Sequence, residues 1–260
     1  MPQPASLLAN VRVLWPKGLN SQFYLDINNF ARRTRWAHGF MHDYALWLGL
    51  VLMALTFLAA YVVVWWRRDT RSAALLGLGG VGTLIALGLN QVVGHAAREL
   101  RPYDSYRHAL VLVGKANDYS FPSDHSVVAG ALLVSVLLVV RSRAPEQWGM
   151  SIDTPRWVGA ARQNGATGAM AALALVGAVF CLFLCFARIY VGAHYPGDVV
   201  GGLLLGAVVV LLVSAARPLA FRFVDALDRS ALAVLVHRPR SSGRSIADVR
   251  EGADEQPEVV

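Results

Sequence analysis

The 260-residue chain is 55% hydrophobic and 16% charged, with a mean hydropathy of +0.45, which excludes an ordinary soluble domain and a disordered polymer alike. A net charge of +7 and a pI near 9.8 would suit a nucleic-acid partner. The arginines, however, flank apolar runs and form no basic domain of their own, so no nucleic-acid partner is expected.

In chain order, residues 1–43 read as an N-terminal interfacial segment. Phe23, Tyr24, Ile27, Phe30 and Ala31 recur at helical spacing, with Asp26, Asn29 and Arg33 on other faces, the pattern of a helix lying in the membrane surface. The apolar start is broken by Arg12 and followed by Pro16 and Lys17, so a cleaved signal is not expected and the first spanning helix directs insertion. Residues 44–216 form the expected transmembrane core. Long, nearly charge-free runs at 44–66, 73–93, 126–140, 166–187 and 199–216 meet the need for about 20 apolar residues per span, the third if its helix begins at Ser123. The fold class is therefore all-α, a polytopic bundle of five transmembrane helices. Cys181 and Cys185, one helical turn apart without metal-ligand neighbours, are expected to pack. Gly202 and Gly206 form a small-xxx-small pair, expected to pack inside the bundle, with a homodimer contact as the alternative. Residues 217–260 are expected to be a cytoplasmic, largely disordered tail. Arg67, Arg68 and Arg71, then Arg141, Arg143, Arg156 and Arg162, then Arg217 and Arg222 mark one face as cytoplasmic, although Arg32, Arg33 and Arg35 stand on the other.

Three short pieces carry chemistry: Arg101-Pro102, Pro122-Ser123-Asp124-His125, and Arg188 with His194 and Asp198. The second run ends near Arg101, because Pro102 discourages continuation, and the third begins near Ser123. The fourth ends near Arg188, and the fifth begins near Pro196, a suitable first-turn proline. In an up-and-down bundle all these ends share one membrane face, the outer one if the arginine flanks face the cytoplasm. Two guanidiniums, a hydroxyl and a helix N-terminus suit a phosphate. Singly, such an arginine is an ordinary headgroup anchor; His38, His42, His95, His108 and His237 are read as equally unremarkable.

The run from Arg188 to Asp198 resembles the S-R-x5-H-x3-D signature of the type 2 phosphatidic acid phosphatase superfamily. Residues 122–125 resemble its P-S-G-H signature in the P-S-D-H form associated with bacterial undecaprenyl-diphosphatases, and Arg101-Pro102 matches the end of K-x6-R-P. The resemblance covers roughly residues 20–216. It departs at Gly94, where the signature has lysine, and at Ala187, where it has serine; Arg98 and Lys115 are the candidates to restore the missing charge. The resemblance implies an integral-membrane lipid phosphatase without metal or other cofactor. It makes His194 the nucleophile of a phosphohistidine route, with Asp198 orienting its ring and His125 the proton donor to the leaving oxygen. Arg101, Ser123, Asp124 through its N–H, and Arg188 hold phosphate. The expected substrate is undecaprenyl or another polyprenyl diphosphate, with phosphatidic acid and phosphatidylglycerol phosphate as alternatives. A vanadium haloperoxidase-like enzyme is disfavoured by the five spans. A non-catalytic lipid-phosphate binder would not need His125, His194 and Asp198.

Overall fold

The computed structural model describes residues 17–142 and 156–229. Among them every regular element is helical: α1 (Lys17–Arg33), α2 (His38–Asp43), α3 (Gly49–Trp66), α4 (Thr70–Ala97), α5 (Pro102–Ser105), α6 (Asp124–Ser142), α7 (Arg156–Tyr190), α8 (Pro196–Val213) and α9 (Arg217–Asp228). Five stretches of the described residues are long and apolar enough to cross a bilayer: Arg35–Trp66, Thr70–Ser105, Asp124–Ser142, Gly168–Tyr190 and Pro196–Leu227. They coincide with the five expected runs. Their outer surfaces are apolar, with Leu58, Leu84, Leu182 and Leu204 all exposed, as befits helices whose solvent is lipid.

Local chemistry sets the ends of these rods. Asp69 caps α4, accepting from the Ser72 backbone N–H at 3.0 Å and the Ser72 hydroxyl at 2.7 Å, a cap worth about 0.5–2 kcal/mol. α4 stops where Arg98 turns left-handed, at φ 51°. α8 opens with Pro196 in its first turn, and Asp198 reaches back to the Tyr195 N–H at 2.8 Å, closing a capping box.

α6 is the central rod, packed on α3, α4, α7 and α8. Its contact with α8 depends on glycine. A Cβ on Gly202 would lie 2.6 Å from the Ser123 carbonyl oxygen, and one on Gly206 would overlap the Val127 carbonyl. This small-residue pair is thus spent inside the bundle. Cys181 and Cys185 are buried, free thiols in the largest apolar cluster.

The N-terminal helix does more than lie on a surface. Tyr24 and Ala31 are fully buried, whereas Leu19, Phe23 and Phe30 are exposed, so the apolar stripe is split between the protein and its surroundings. Asn28 pairs with the Leu110 backbone in both directions: its Nδ2 donates to the carbonyl at 2.7 Å, and its Oδ1 accepts from the amide at 2.9 Å. Asn20 accepts from the Gly197 N–H at 2.8 Å, and Arg32 donates to the His108 carbonyl. α1 therefore straps the 106–113 segment and the start of α8.

The first twelve positions of the expected tail, from residue 217, are helical. They form α9, because Phe221, Val224 and Leu227 share an apolar face that packs with Ala73, Ala74, Leu75 and Leu76 of α4 in one cluster. Arg12, Pro16, Arg143, His237 and the rest of the tail lie outside the described residues.

Candidate active site

His194 stands in the short turn between α7 and α8. The turn needs Gly192, whose φ is +80° and whose missing Cβ would overlap the Leu110 carbonyl oxygen; only glycine combines that backbone with so close an approach. The imidazole is 2% exposed. Its Nδ1 lies 2.9 Å from the Ser120 carbonyl oxygen, an acceptor only, so Nδ1 carries the proton and Nε2 the lone pair. Nε2 lies 3.3 Å from Nη1 of Arg101 and 3.2 Å from Nη2 of Arg188. Burial first, then the charges of Arg188 and Arg101, hold the His194 pKa well below the usual histidine value. The ring is therefore neutral at pH 7, with its unprotonated nitrogen between two guanidiniums.

Asp198 lies one turn into α8, fully buried. Its Oδ2 accepts from the Ser120 hydroxyl and the Tyr195 N–H and is 3.5 Å from His194 Nδ1. The nearest acceptor for the ring is thus the Ser120 carbonyl, not the expected Asp198 carboxylate. Asp198 acts one step back, holding the serine that holds the histidine.

His125 and Arg188 share an unexpected support. Residues Tyr44–Leu48 form a π-helical turn at the start of the first span, a geometry common at functional sites. Arg188 Nη1 donates to the Ala45 carbonyl at 3.2 Å, and His125 Nε2 is 3.3 Å from the Leu46 carbonyl. Ser123 Oγ and Arg188 Nε are buried side-chain atoms without a hydrogen-bond partner among the described residues. Such orphaned donors suit an oxyanion.

A cavity of about 590 Å³ opens beside His194, lined by Gly94, Arg101, Lys115, Asp118, Asp124 and His194 among others. Ser123, His125, Arg188 and Asp198 are not among its lining residues. Asp124 turns its carboxylate to the Asn90 and Gln91 side-chain amides. Of the two candidates to replace the lysine missing at Gly94, Lys115 lines the cavity, its Nζ 5.6 Å from the Tyr103 ring centroid. Arg98 turns elsewhere, its Nε donating to the His95 carbonyl at 3.2 Å. A Cβ on Gly94 would meet only the Phe121 carbonyl, at 3.3 Å. Ala187 is fully buried in the apolar cluster. Among the described residues no three His, Cys, Asp or Glu side chains are grouped to hold a metal ion.

Sequence reasoning missed Ser120, Asp118, Asn90 and the π-helical turn. Ser120 and Asp118 lie in an aperiodic loop, and a backbone carbonyl acts whatever its side chain. Only the closeness of both residues to the Pro122 motif could have drawn attention to them.

Fold and site together define a polytopic, all-helical membrane protein with a polar, histidine-lined pocket at its helix ends. The pattern that defines the PAP2 superfamily matches residues 77–222, more than half of the chain, and the chain belongs to that superfamily. Curated relatives include "Undecaprenyl-diphosphatase BcrC" of Bacillus subtilis (strain 168), 30% identical over 190 residues, 73% of this chain and 78% of that one. "Undecaprenyl-diphosphatase" of Sulfolobus acidocaldarius is 26% identical over 127 residues, 49% of this chain; the match spans about half, 48%, of that relative's length. Among solved structures, a transmembrane PAP2 type phosphatidylglycerolphosphate phosphatase from Bacillus subtilis aligns over 75% of this chain and 92% of its own. Its TM-score is 0.38, at 20% identity.

Proposed function

We propose that the chain is a lipid phosphatase that hydrolyses undecaprenyl diphosphate, or a similar polyprenyl diphosphate, to the monophosphate and inorganic phosphate. One observation carries the reading: a neutral, buried His194 has Nδ1 committed to a carbonyl and Nε2 facing two guanidiniums. In the first step the Nε2 lone pair attacks the terminal phosphorus, and the bond to the bridging oxygen breaks. A protonated His125 delivers its proton to that oxygen, and the lipid monophosphate leaves. In the second step water attacks the phosphohistidine, its proton passes to His125, the P–N bond breaks, and Nε2 recovers its lone pair as phosphate departs. Arg101 and Arg188 counter the charge spread over the equatorial oxygens, with Ser123 donating its orphaned hydroxyl. The N–H of Asp124 adds the helix dipole, and Lys115 supplies the cation that Gly94 lacks. The relatives named undecaprenyl-diphosphatase support the diphosphate as substrate. The arginines at 67, 68 and 71 and at 217 and 222, beyond the opposite helix ends, support an extracytoplasmic site.

The test is phosphate release by detergent-purified protein from polyprenyl diphosphate, polyprenyl monophosphate, phosphatidic acid and phosphatidylglycerol phosphate, with labelling of Lys115→Cys by an impermeant maleimide on intact cells. The diphosphate should turn over fastest and the cysteine should label from outside. Faster turnover of phosphatidic acid or phosphatidylglycerol phosphate would overturn the substrate, and labelling only after lysis the orientation.

A further inference from the structure

Arg101 does not present its best phosphate-binding edge to the cavity. The Nε and Nη2 groups of a guanidinium form a fork matched to two oxygens of a carboxylate or phosphate. Here the fork is taken: Nε donates to Asp118 Oδ1 at 2.7 Å and Nη2 to Oδ2 at 2.9 Å. The arginine side chain is buried, whereas that of Asp118, on the loop at the cavity mouth, is 53% exposed. The remaining edge is also engaged, Nη1 donating to the Ala193 carbonyl at 3.1 Å while facing His194 Nε2 at 3.3 Å. Pinned at both edges, the guanidinium holds Nη1 against His194 Nε2. Partial burial pushes the Asp118 carboxyl up, but the hydrogen bond and charge of Arg101 outweigh it and hold the pKa below its usual value. The cavity that would receive a phosphate dianion therefore carries an anion paired with Arg101, one of the cations that line it.

We infer that Asp118 is a positioning residue that keeps the Arg101 fork closed to phosphate, so that Arg101 meets the transferring group through Nη1 and the released dianion is held weakly. The logic is differential binding: a grip equally strong on substrate, transition state and product does not speed the chemical step, and a tight grip on product delays the next turnover. An occupied fork removes that uniform grip and leaves the contact nearest the reacting nitrogen. Nothing in the sequence motifs assigns this residue. The inference rests on the reading of the cavity as a phosphoryl-transfer site.

The test compares detergent-purified wild type with Asp118→Asn, Asp118→Ser and Asp118→Glu. Inorganic phosphate affinity is measured by titration calorimetry and by inhibition of lipid turnover, alongside kcat, KM and the unfolding midpoint. Asp118→Asn should bind inorganic phosphate about tenfold more tightly or better, the worth of one regained charge-assisted hydrogen bond. Its kcat and KM should both fall, and Asp118→Glu should move all three values back toward wild type. Unchanged or weaker phosphate binding in Asp118→Asn, or in Asp118→Ser should the asparagine variant not fold, overturns the inference. So does a loss of kcat with KM unchanged that the glutamate does not rescue. Calorimetry reads this role even if wild type hydrolyses none of the lipids, an outcome that would sink the activity reading alone.

Discussion

At the scale of the residue, the site depends on a histidine kept neutral by its surroundings. Desolvation of His194 is reinforced by Arg188 and Arg101 beside Nε2, and the Ser120 carbonyl fixes which nitrogen carries the proton. This state has a thermodynamic sign. In the unfolded chain the ring titrates near the usual value of about 6.5, while in the folded protein it takes up a proton only at much lower pH. Between those values the unfolded state binds the extra proton, so stability is fully present above about pH 6.5 and falls as pH falls, by up to about 1.4 kcal/mol per pH unit. Unfolding midpoints in detergent should thus drop from pH 7.5 to 5.5, and His194→Asn should flatten the slope; an identical slope in the variant would contradict the assignment. The motif residues themselves were legible, because their spacing places an arginine, a histidine and an aspartate at two helix ends. What Asp198 touches was not. Spacing of i and i+4 suggested a direct bond to His194, but the capping demand of α8 and the Ser120 hydroxyl claim the carboxylate first.

At the scale of the element, helix ends bring the chemistry together and two less obvious elements hold it in place. The π-helical turn at Tyr44–Leu48 offers the carbonyls of Ala45 and Leu46 to Arg188 and His125, linking the first span to motifs far along the chain. α1 fixes the loop that leads to Asp118 and Ser120 through the two-way pairing of Asn28 with Leu110, 82 positions away. Asn28 is buried, so Asn28→Ala leaves a backbone donor and acceptor unpaired at a cost of about 1–3 kcal/mol each. Amide exchange over residues 108–120 should speed up by about tenfold or more, and turnover should fall with it, while exchange in α6 stays slow. Equal acceleration in α6 would show that the substitution loosens the whole bundle and that α1 has no special hold on the loop. Neither element was legible in this role. Helical periodicity identified α1 as amphipathic but could not say that Tyr24 and Ala31 are fully buried while Phe23 and Phe30 stay exposed, and a π-helical turn leaves no mark in a run of apolar residues.

At the scale of the whole molecule, five apolar rods and their order followed from hydropathy, because a bilayer requires long, charge-free, internally hydrogen-bonded segments. Convergence of the motifs followed from topology: alternating rods bring the ends of α4 and α7 to the same face as the starts of α6 and α8. Hydropathy could not foresee α9, which is too polar to resemble a span and gains its order from packing Phe221, Val224 and Leu227 with α4. Nor could it foresee that the aperiodic loop from residue 106 to 123 would supply the Ser120 carbonyl and the Asp118 carboxylate. The central claim is that this convergence makes His194 Nε2 a nucleophile toward phosphorus, and it is tested most directly by trapping the intermediate. Purified protein is mixed with polyprenyl diphosphate labelled in its terminal phosphate, quenched in alkali, where a phosphohistidine survives, and mapped by mass spectrometry. Label on His194, absent from His194→Asn, is the predicted result; release of labelled phosphate by the wild type with no label on the protein, or label undiminished in His194→Asn, would contradict it.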